Sequence, residues 1–232
     1  MTQRKQMKRL AAPKRIKILR KEGVWTVRAS AGPHKANESV PLLVLVRDYL
    51  KLADTYLEAR KIIKTKQVLI DGKPATDAKR PVGFMDVVSI PSIKKHYRIV
   101  LDEKGRISPL ETNESGFKLS RIEKIKQTKR GVQLTMHDGR NIITKEKLGT
   151  GDVLKIEVSS QKILEHYPLK EGSMAYIISG KHAGQTLKIA GLIPGTITRR
   201  KQVLFKTQDK EFNVPYDYVF VVGKDKPAVT LK

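Results

Sequence analysis

The apolar residues of this chain keep two rhythms, a helical one early and a strand-like one later. Between residues 41 and 90, Leu42, Leu45, Val46, Tyr49 and Leu50 fall on one helical stripe, spaced i, i+3, i+4, i+7, i+8. Pro41 suits the opening turn of that helix, because its missing N–H would have no partner there. Thr55 and Glu58 have capping-box spacing for a second helix. That helix turns Ala59, Ile62 and Ile63 inward and leaves Arg60, Lys61 and Lys64 outside. Val68-Leu69-Ile70 then predicts a strand closed by an Asp71-Gly72 turn. A rigid helix pair that presents cations in this way is a good design for gripping phosphates.

After Ile90 the pattern becomes β. Tyr97-Arg98-Ile99-Val100-Leu101 predicts a strand, with a turn over Asp102-Glu103-Lys104-Gly105. Residues 133–143 predict two strands about the Asp138-Gly139 turn. Thr150-Gly151-Asp152 turns the chain into a strand at Val153-Leu154-Lys155-Ile156, and Ser160 to His166 reads as a short helix. From Leu169 a third section starts, with strands at 173–178 and 187–190 around Gly180-Lys181-His182-Ala183-Gly184. Tyr218-Val219-Phe220-Val221-Val222 predicts a fully buried strand. Ahead of all this, residues 1–40 have too few apolar positions to fold alone and read as an extended arm. Pro13, Gly23 and Gly32-Pro33 punctuate it, and Trp25-Thr26-Val27 predicts a short strand. Packing on the body is the expected role of Trp25, with stacking on a base as the alternative.

Charge narrows the partner. The chain carries 47 Lys+Arg against 23 Asp+Glu, a net charge of +24 over 232 residues. Every quarter of the chain is positive, and the first forty residues hold 11 basic and 2 acidic side chains. Such self-repulsion opposes compaction until a polyanion neutralises it. A footprint spread along the whole length suits a large nucleic acid. A membrane is not expected: there is no long amphipathic basic helix, and apolar runs such as Leu42 to Val46 are far too short to span a bilayer. The N-terminus has no apolar signal core, and residues 1–21, with nine basic residues, lack the serine that transit peptides favour, so neither export nor import is expected.

Catalysis finds no support. There is no cysteine, which removes disulfides, thiolate zinc sites and cysteine nucleophiles together. His34, His96, His166 and His182 lack metal-ligand spacing. Neither G-x-x-x-x-G-K-[ST] nor G-x-S-x-G occurs, so no cofactor and no small-molecule substrate are expected. His137 beside Asp138 invites an acid–base reading, but neighbours on an Asp-Gly hairpin rarely face each other. A tight turn offering Arg140 to RNA is the expectation.

The run Glu58-Ala59-Arg60-Lys61-Ile62-Ile63, then Val68-Leu69-Ile70-Asp71-Gly72-Lys73, resembles the S4 RNA-binding domain, a helix-loop-helix with a small sheet. In that family an Arg usually stands two residues before the Asp of the first helix; here Val46 holds that place and Arg47 directly precedes Asp48. A Gly-Asp pair commonly introduces the last strand, and here it is Met85-Asp86. The glycine-bracketed turn at 180–184 resembles the KOW motif of SH3-like barrels. With Leu10-Ala11-Ala12-Pro13-Lys14, Gly32-Pro33-His34-Lys35, Arg80-Pro81-Val82-Gly83-Phe84-Met85-Asp86-Val87, His137-Asp138-Gly139-Arg140-Asn141 and Tyr218-Val219-Phe220, the order of parts resembles the S4e family of small-subunit ribosomal proteins. Its size resembles that of archaeal members.

The resemblance implies a multi-domain α+β fold, mostly β. Its parts are a basic arm over 1–40, an S4-like domain over 41–95, a central β domain over 96–168 and a KOW/SH3-like β-barrel over 169–232. It also implies a structural role in the cytoplasmic ribosome, with small-subunit ribosomal RNA and neighbouring ribosomal proteins as partners. The candidate RNA contacts in the arm are Arg4, Lys5, Lys8, Arg9, Lys14, Arg15, Lys17, Arg20, Lys21, His34 and Lys35. In the S4-like part they are Arg47, Lys51, Arg60, Lys61, Lys64, Lys73 and Arg80, and beyond it Arg140, Lys181 and His182. Arginines that grip a phosphate with two donors, such as Arg60, Arg80 and Arg140, lead the set. Two other classes stay open at this point: an RNA-modifying or aminoacylating enzyme, and a transcription-elongation or chromatin factor. The first lacks a nucleotide-binding signature; the second leaves the arm and the helix pair without a job.

Overall fold

The computed structural model describes residues 6–129, 131–206 and 211–231. The chain divides into two units, residues 1–100 with 106–115 and residues 101–105 with 116–232. In the first unit, β1 (Gln6–Lys8) and β2 (Trp25–Val27) form an antiparallel ribbon within the arm. Next, β3 (Ser39–Pro41) leads into α1 (Leu42–Val44), which passes without a break into a π-helical turn over Leu45–Tyr49. The expected apolar stripe is wider than its spacing implied, because Leu42, Leu43, Val44, Leu45 and Val46 are all buried. Pro41 sits just before the helix, as the last residue of β3, and not inside its first turn. The reason is local: the amides of Leu42 and Leu43 donate to the carbonyls of Arg80 and Ala78, each at 2.9 Å. A neighbouring loop thereby satisfies donors that a helix start otherwise leaves open.

Helix α2 (Tyr56–Lys64) carries the predicted capping box. Thr55 Oγ1 accepts from the Glu58 amide at 3.3 Å, and Glu58 Oε2 accepts from the amides of Thr55 and Asp54 at 3.3 and 3.1 Å. These bonds hold the Glu58 carboxyl below its ordinary pKa. Ala59 and Ile63 are fully buried. Then β4 (Leu69–Ile70) and β5 (Lys73–Pro74) close the predicted hairpin. Asp71 and Gly72 both have positive φ, 49° and 70°, as the tightest two-residue hairpin turn requires. The short β6 (Pro81–Gly83) pairs with β3. With β7 (Val87–Ile90), β8 (Lys95–Leu101) and β9 (Ile107–Glu111), the sheet order is β5-β4-β7-β8-β9. The strand expected at Tyr97–Leu101 is thus present, and it extends the sheet of the helix pair. On it, Arg98 is fully buried and its Nη2 donates to the Glu114 carbonyl at 2.7 Å.

The second unit is built from strands. Its first sheet contains β10 (Phe117–Thr128), β11 (Gly131–Met136), β12 (Asn141–Thr144), β13 (Val153–Glu157) and β14 (Ile163–Tyr167), in the order β12-β11-β10-β13-β14. β10 serves two partners: residues 117–121 pair with β13, and from Ile122 onward it pairs with β11, with a bulge at Glu123 between Ile122 and Lys124. Ile122, Leu134, Met136, Leu154 and Ile156 form the core beneath it. The expected helix at 160–166 is not there. Gln161 takes a left-handed φ of 58° in a turn, and the following residues become β14, with Tyr167 opposite Val153. The free edge of β13 offers a ladder of backbone bonds that a lone helical turn lacks, and tertiary pairing overrides local spacing.

The second sheet runs through β15 (Met174–Ile177), β16 (Thr186–Ile193), β17 (Gln202–Lys206), β18 (Glu211–Pro215) and β19 (Val219–Gly223). Its order is β18-β17-β16-β15-β19, antiparallel throughout. Every residue of β19 is buried, as its apolar run predicted. The barrel expected here appears as this one sheet, with no β18–β19 ladder among the described residues. No helix among the described residues is long and apolar enough to cross a membrane.

A buried ion pair holds the first sheet of this unit to its turn. Lys118 on β10 and Asp138 in the β11–β12 turn meet at 2.6 Å, each side chain 1% exposed. Burial pushes Asp138 up, but Lys118, His137 and Arg140 outweigh it, and the carboxyl titrates below its ordinary range. Its contribution to stability is therefore present above the ordinary carboxylate pKa and lost as pH falls through the depressed value. Asp138→Asn takes from the buried Lys118 ammonium the carboxylate it meets at 2.6 Å. It should cost about 3–5 kcal/mol in chemical denaturation at neutral pH, with the gap to the parent protein narrowing in acid. A loss below about 1 kcal/mol would show that water reaches the pair.

Candidate nucleic-acid interface

The capping box fixes where α2 starts, and so which face its cations occupy. With Ala59 and Ile63 packed inward, Arg60, Lys61 and Lys64 all stand exposed on the other side. Thr65 Oγ1 closes the helix end by donating to the carbonyls of Lys61 and Ile62, each at 3.0 Å. Lys61 and Lys64 lie in the last turn, where cations also offset the helix dipole. Lys51 follows the π-helical turn and Lys73 follows the β4–β5 turn, and both are exposed. This unit thus displays the predicted helix-pair cations to solvent.

The arm divides its cations into two kinds. Arg9 Nη1 donates to the Leu19 carbonyl at 2.7 Å and its Nε to the Trp25 carbonyl at 3.3 Å. Arg20 donates to the carbonyls of Arg9, Leu10, Ala12 and Pro13, the shortest bond being 2.8 Å to Ala12. A guanidinium with five donors can satisfy several carbonyls of a segment that has little regular structure. These two arginines, expected on RNA, are therefore engaged with the arm itself. Lys8, Lys14, Lys17, Lys21 and Lys35 are exposed, and Arg15 is half-buried. Arg4 and Lys5 lie outside the described residues. Far from lying loose, the arm is anchored: the Lys17 amide donates to the Tyr49 hydroxyl at 2.7 Å, and the Ile107 amide to the Arg15 carbonyl at 3.0 Å. Burial pushes the Tyr49 phenol up to about 12, so it stays protonated at neutral pH. Trp25, expected to pack on the body, is 54% exposed.

Three further expectations in this unit change. His34 is not presented to RNA: its Nε2 lies 2.8 Å from Asp86 Oδ2, with both side chains buried. The same carboxylate oxygen accepts from the Gly83 amide at 3.0 Å. Arg47 makes a two-pronged pair with its neighbour Asp48, at 2.7 and 2.9 Å, so its charge is already met. That bond to Asp48 raises the guanidinium pKa. Arg80 is half-buried, its main chain engaged at the start of α1.

In the second unit Lys181 is exposed. His182 stacks on Phe212 of β18, ring centroids 4.0 Å apart, and is a packing residue. Arg140 is largely buried, its Nε 3.3 Å from Asp138 Oδ2, so it supports the ion pair and is not offered to RNA. His137 accepts from the Arg121 amide at 3.2 Å, has the Ser120 hydroxyl 3.3 Å from the same ring nitrogen and sets its ring edge-on to Phe220, which gives it a structural place between strands. The sequence reading missed the β16–β17 tip, where Arg199, Arg200 and Lys201 are exposed beside a fully exposed Ile197. Three consecutive cations after Pro194-Gly195 were the available signal. It also missed Lys124 and Lys126, exposed on β10.

A capped helix pair on a small sheet, an anchored basic arm and a strand-built second unit define a modular protein with an S4 domain. Family models agree part by part: the S4 domain matches residues 40–88, the RS4NT (NUC023) domain residues 1–37 and Ribosomal family S4e residues 93–163. Small ribosomal subunit protein eS4 of Methanothermobacter thermautotrophicus is 42% identical, covering 100% of this chain and 97% of its own. The protein of that name from Methanocaldococcus jannaschii is also 42% identical, covering 98% of each chain. The crystal structure of the 30S ribosomal protein S4e from Thermoplasma acidophilum matches with a TM-score of 0.70 at 34% identity, over 81% of this chain and 96% of that one. The chain belongs to the ribosomal S4e family, a family of structural ribosomal proteins and not of enzymes.

Docking of the arm depends on glycine at two places. A Cβ on Gly83 would lie 2.4 Å from the His34 ring, and one on Gly32 would lie 2.6 Å from Pro81. Gly83→Ala should push His34 off Asp86, lower stability by about 1–3 kcal/mol and speed tryptic cleavage after Lys35. Cleavage unchanged from the parent protein would show that the arm docks without this contact.

Proposed function

We propose that this chain is a structural constituent of the small ribosomal subunit in the cytoplasm, binding small-subunit ribosomal RNA through basic surfaces beside neighbouring ribosomal proteins. The observation that carries this reading is its likeness, along its whole length, to archaeal proteins named small ribosomal subunit protein eS4. Exposed cations give it a mechanism. Arg60, Lys61 and Lys64 on α2, Lys51 and Lys73 nearby in sequence, Lys8, Lys14, Lys17, Lys21 and Lys35 of the arm, and Lys181 in the second unit are exposed, ready to displace counterions from phosphates. Pre-ordered cations lose less freedom on binding than a floppy tail does. We read the C-terminal sheet as a KOW/SH3-like module serving the same particle.

Two measurements test this. Sedimentation of native lysate at low and moderate salt should place the protein with the small subunit; a signal confined to the soluble fractions or following RNA polymerase would overturn the reading. Arg60→Glu should leave the melting curve unchanged, because the side chain stands exposed on the outer face of α2. It should weaken RNA binding and flatten the salt dependence by about 0.7–0.9 log units per log unit for the phosphate lost. An unchanged slope would remove α2 from the interface.

A further inference from the structure

We propose that a cleft in the N-terminal arm receives an unstacked RNA base, with the Trp25 indole as its stacking face. The inference rests on the ribosomal RNA reading above and adds a second kind of contact to its phosphate contacts. The cleft encloses about 540 Å³ and is lined by Lys8, Pro13, Ile16, Trp25, Arg28 and Asn37, among others. That volume lies within the usual range for small-ligand sites.

The placement of each group suits a nucleotide. Ile16 is buried and Pro13 half-buried, so the inner wall is apolar and firm. Trp25 stands directly opposite Lys8 in the β1–β2 register, which sets an ammonium and an indole side by side on one face of the ribbon. The Trp25 backbone is pinned by Arg9 through its carbonyl, so the ring is presented from an ordered strand. Arg28 and Asn37 are both exposed along the same cleft. An amide carries both donors and an acceptor, and matches the mixed edge of a base.

An indole is amphipathic and ordinarily buried over most of its surface, and here it is 54% exposed beside an apolar cleft. Charge selects the occupant. The first forty residues hold 11 basic and 2 acidic side chains, which favours a polyanion over an apolar peptide. Bases available for stacking on aromatic rings are those of single strands, loops and bulges, whereas a duplex keeps its bases stacked inside.

Trp25 is the only tryptophan in the chain, so its emission reports on this cleft alone. The full-length protein is titrated with a dye-labelled single-stranded oligoribonucleotide, and separately with a duplex of equal phosphate number. Dye anisotropy reads binding, and tryptophan emission reads the cleft. The single strand should quench emission in step with binding, and the duplex should bind without comparable quenching. Trp25→Ala should weaken single-strand binding about tenfold and leave duplex binding unchanged, while Trp25→Phe retains most of the affinity. Parallel melting curves keep a folding defect from passing for lost contact. Single-strand binding with unaltered emission and an unaffected alanine variant overturns the cleft and leaves the ribosomal reading standing. Quenching by an acidic peptide but not by RNA also overturns it. Failure of both RNAs to bind brings down the ribosomal reading and the cleft together.

Discussion

A cation taken out of water must be met by an anion or by several oxygen dipoles. With 47 Lys and Arg against 23 Asp and Glu, this chain cannot meet that requirement at every position. Its structure is in large part the record of where the requirement is met. Lys118 has Asp138, Arg98 has the Glu114 carbonyl, Arg47 has Asp48, and Arg9 and Arg20 have the carbonyls of the arm. The side chains on the outer face of α2 stay in water, where no such partner is needed. Sorting by desolvation therefore separates cations that hold the protein together from those left for a polyanion.

The arm shows how far this sorting reaches. Its described residues form only short regular elements, which leaves backbone carbonyls outside any ladder or helix. Arg9 and Arg20 supply the missing donors, and His34 ties the end of the arm to Asp86. Close approach is possible because Gly83 and Gly32 have no side chain where His34 and Pro81 lie. An arm anchored in this way presents Lys8, Lys14, Lys17, Lys21, Lys35 and Trp25 to solvent.

Signals that act over three or four residues were legible in the chain. Thr55 and Glu58 marked the start of α2, and Asp71-Gly72 and Asp138-Gly139 marked their turns, because caps and tight turns depend on bonds between near neighbours. Signals that depend on a remote partner were not. Strand β10 had no clear signature: Ile122 and Ile125 stand three apart, since the bulge at Glu123 between them breaks the period of two. Lys118 on a buried face hid the same strand further. β14 looked helical until β13 was there to pair with it. Arg140 and Arg60 were both expected to grip phosphate, and Arg140 instead has a buried carboxylate waiting for it.

The sequence by itself determined the positive charge, the modular order and the helix pair, because net charge, capping and apolar spacing are properties of composition and short-range order. Tertiary structure decided which cations are open, that His34, His182 and Arg140 turn inward, and that Trp25 stays out. The physical reason is that desolvation depends on what the rest of the chain brings to within a few ångströms, and residues such as Lys118 and Asp138 meet only once the strands between them have paired.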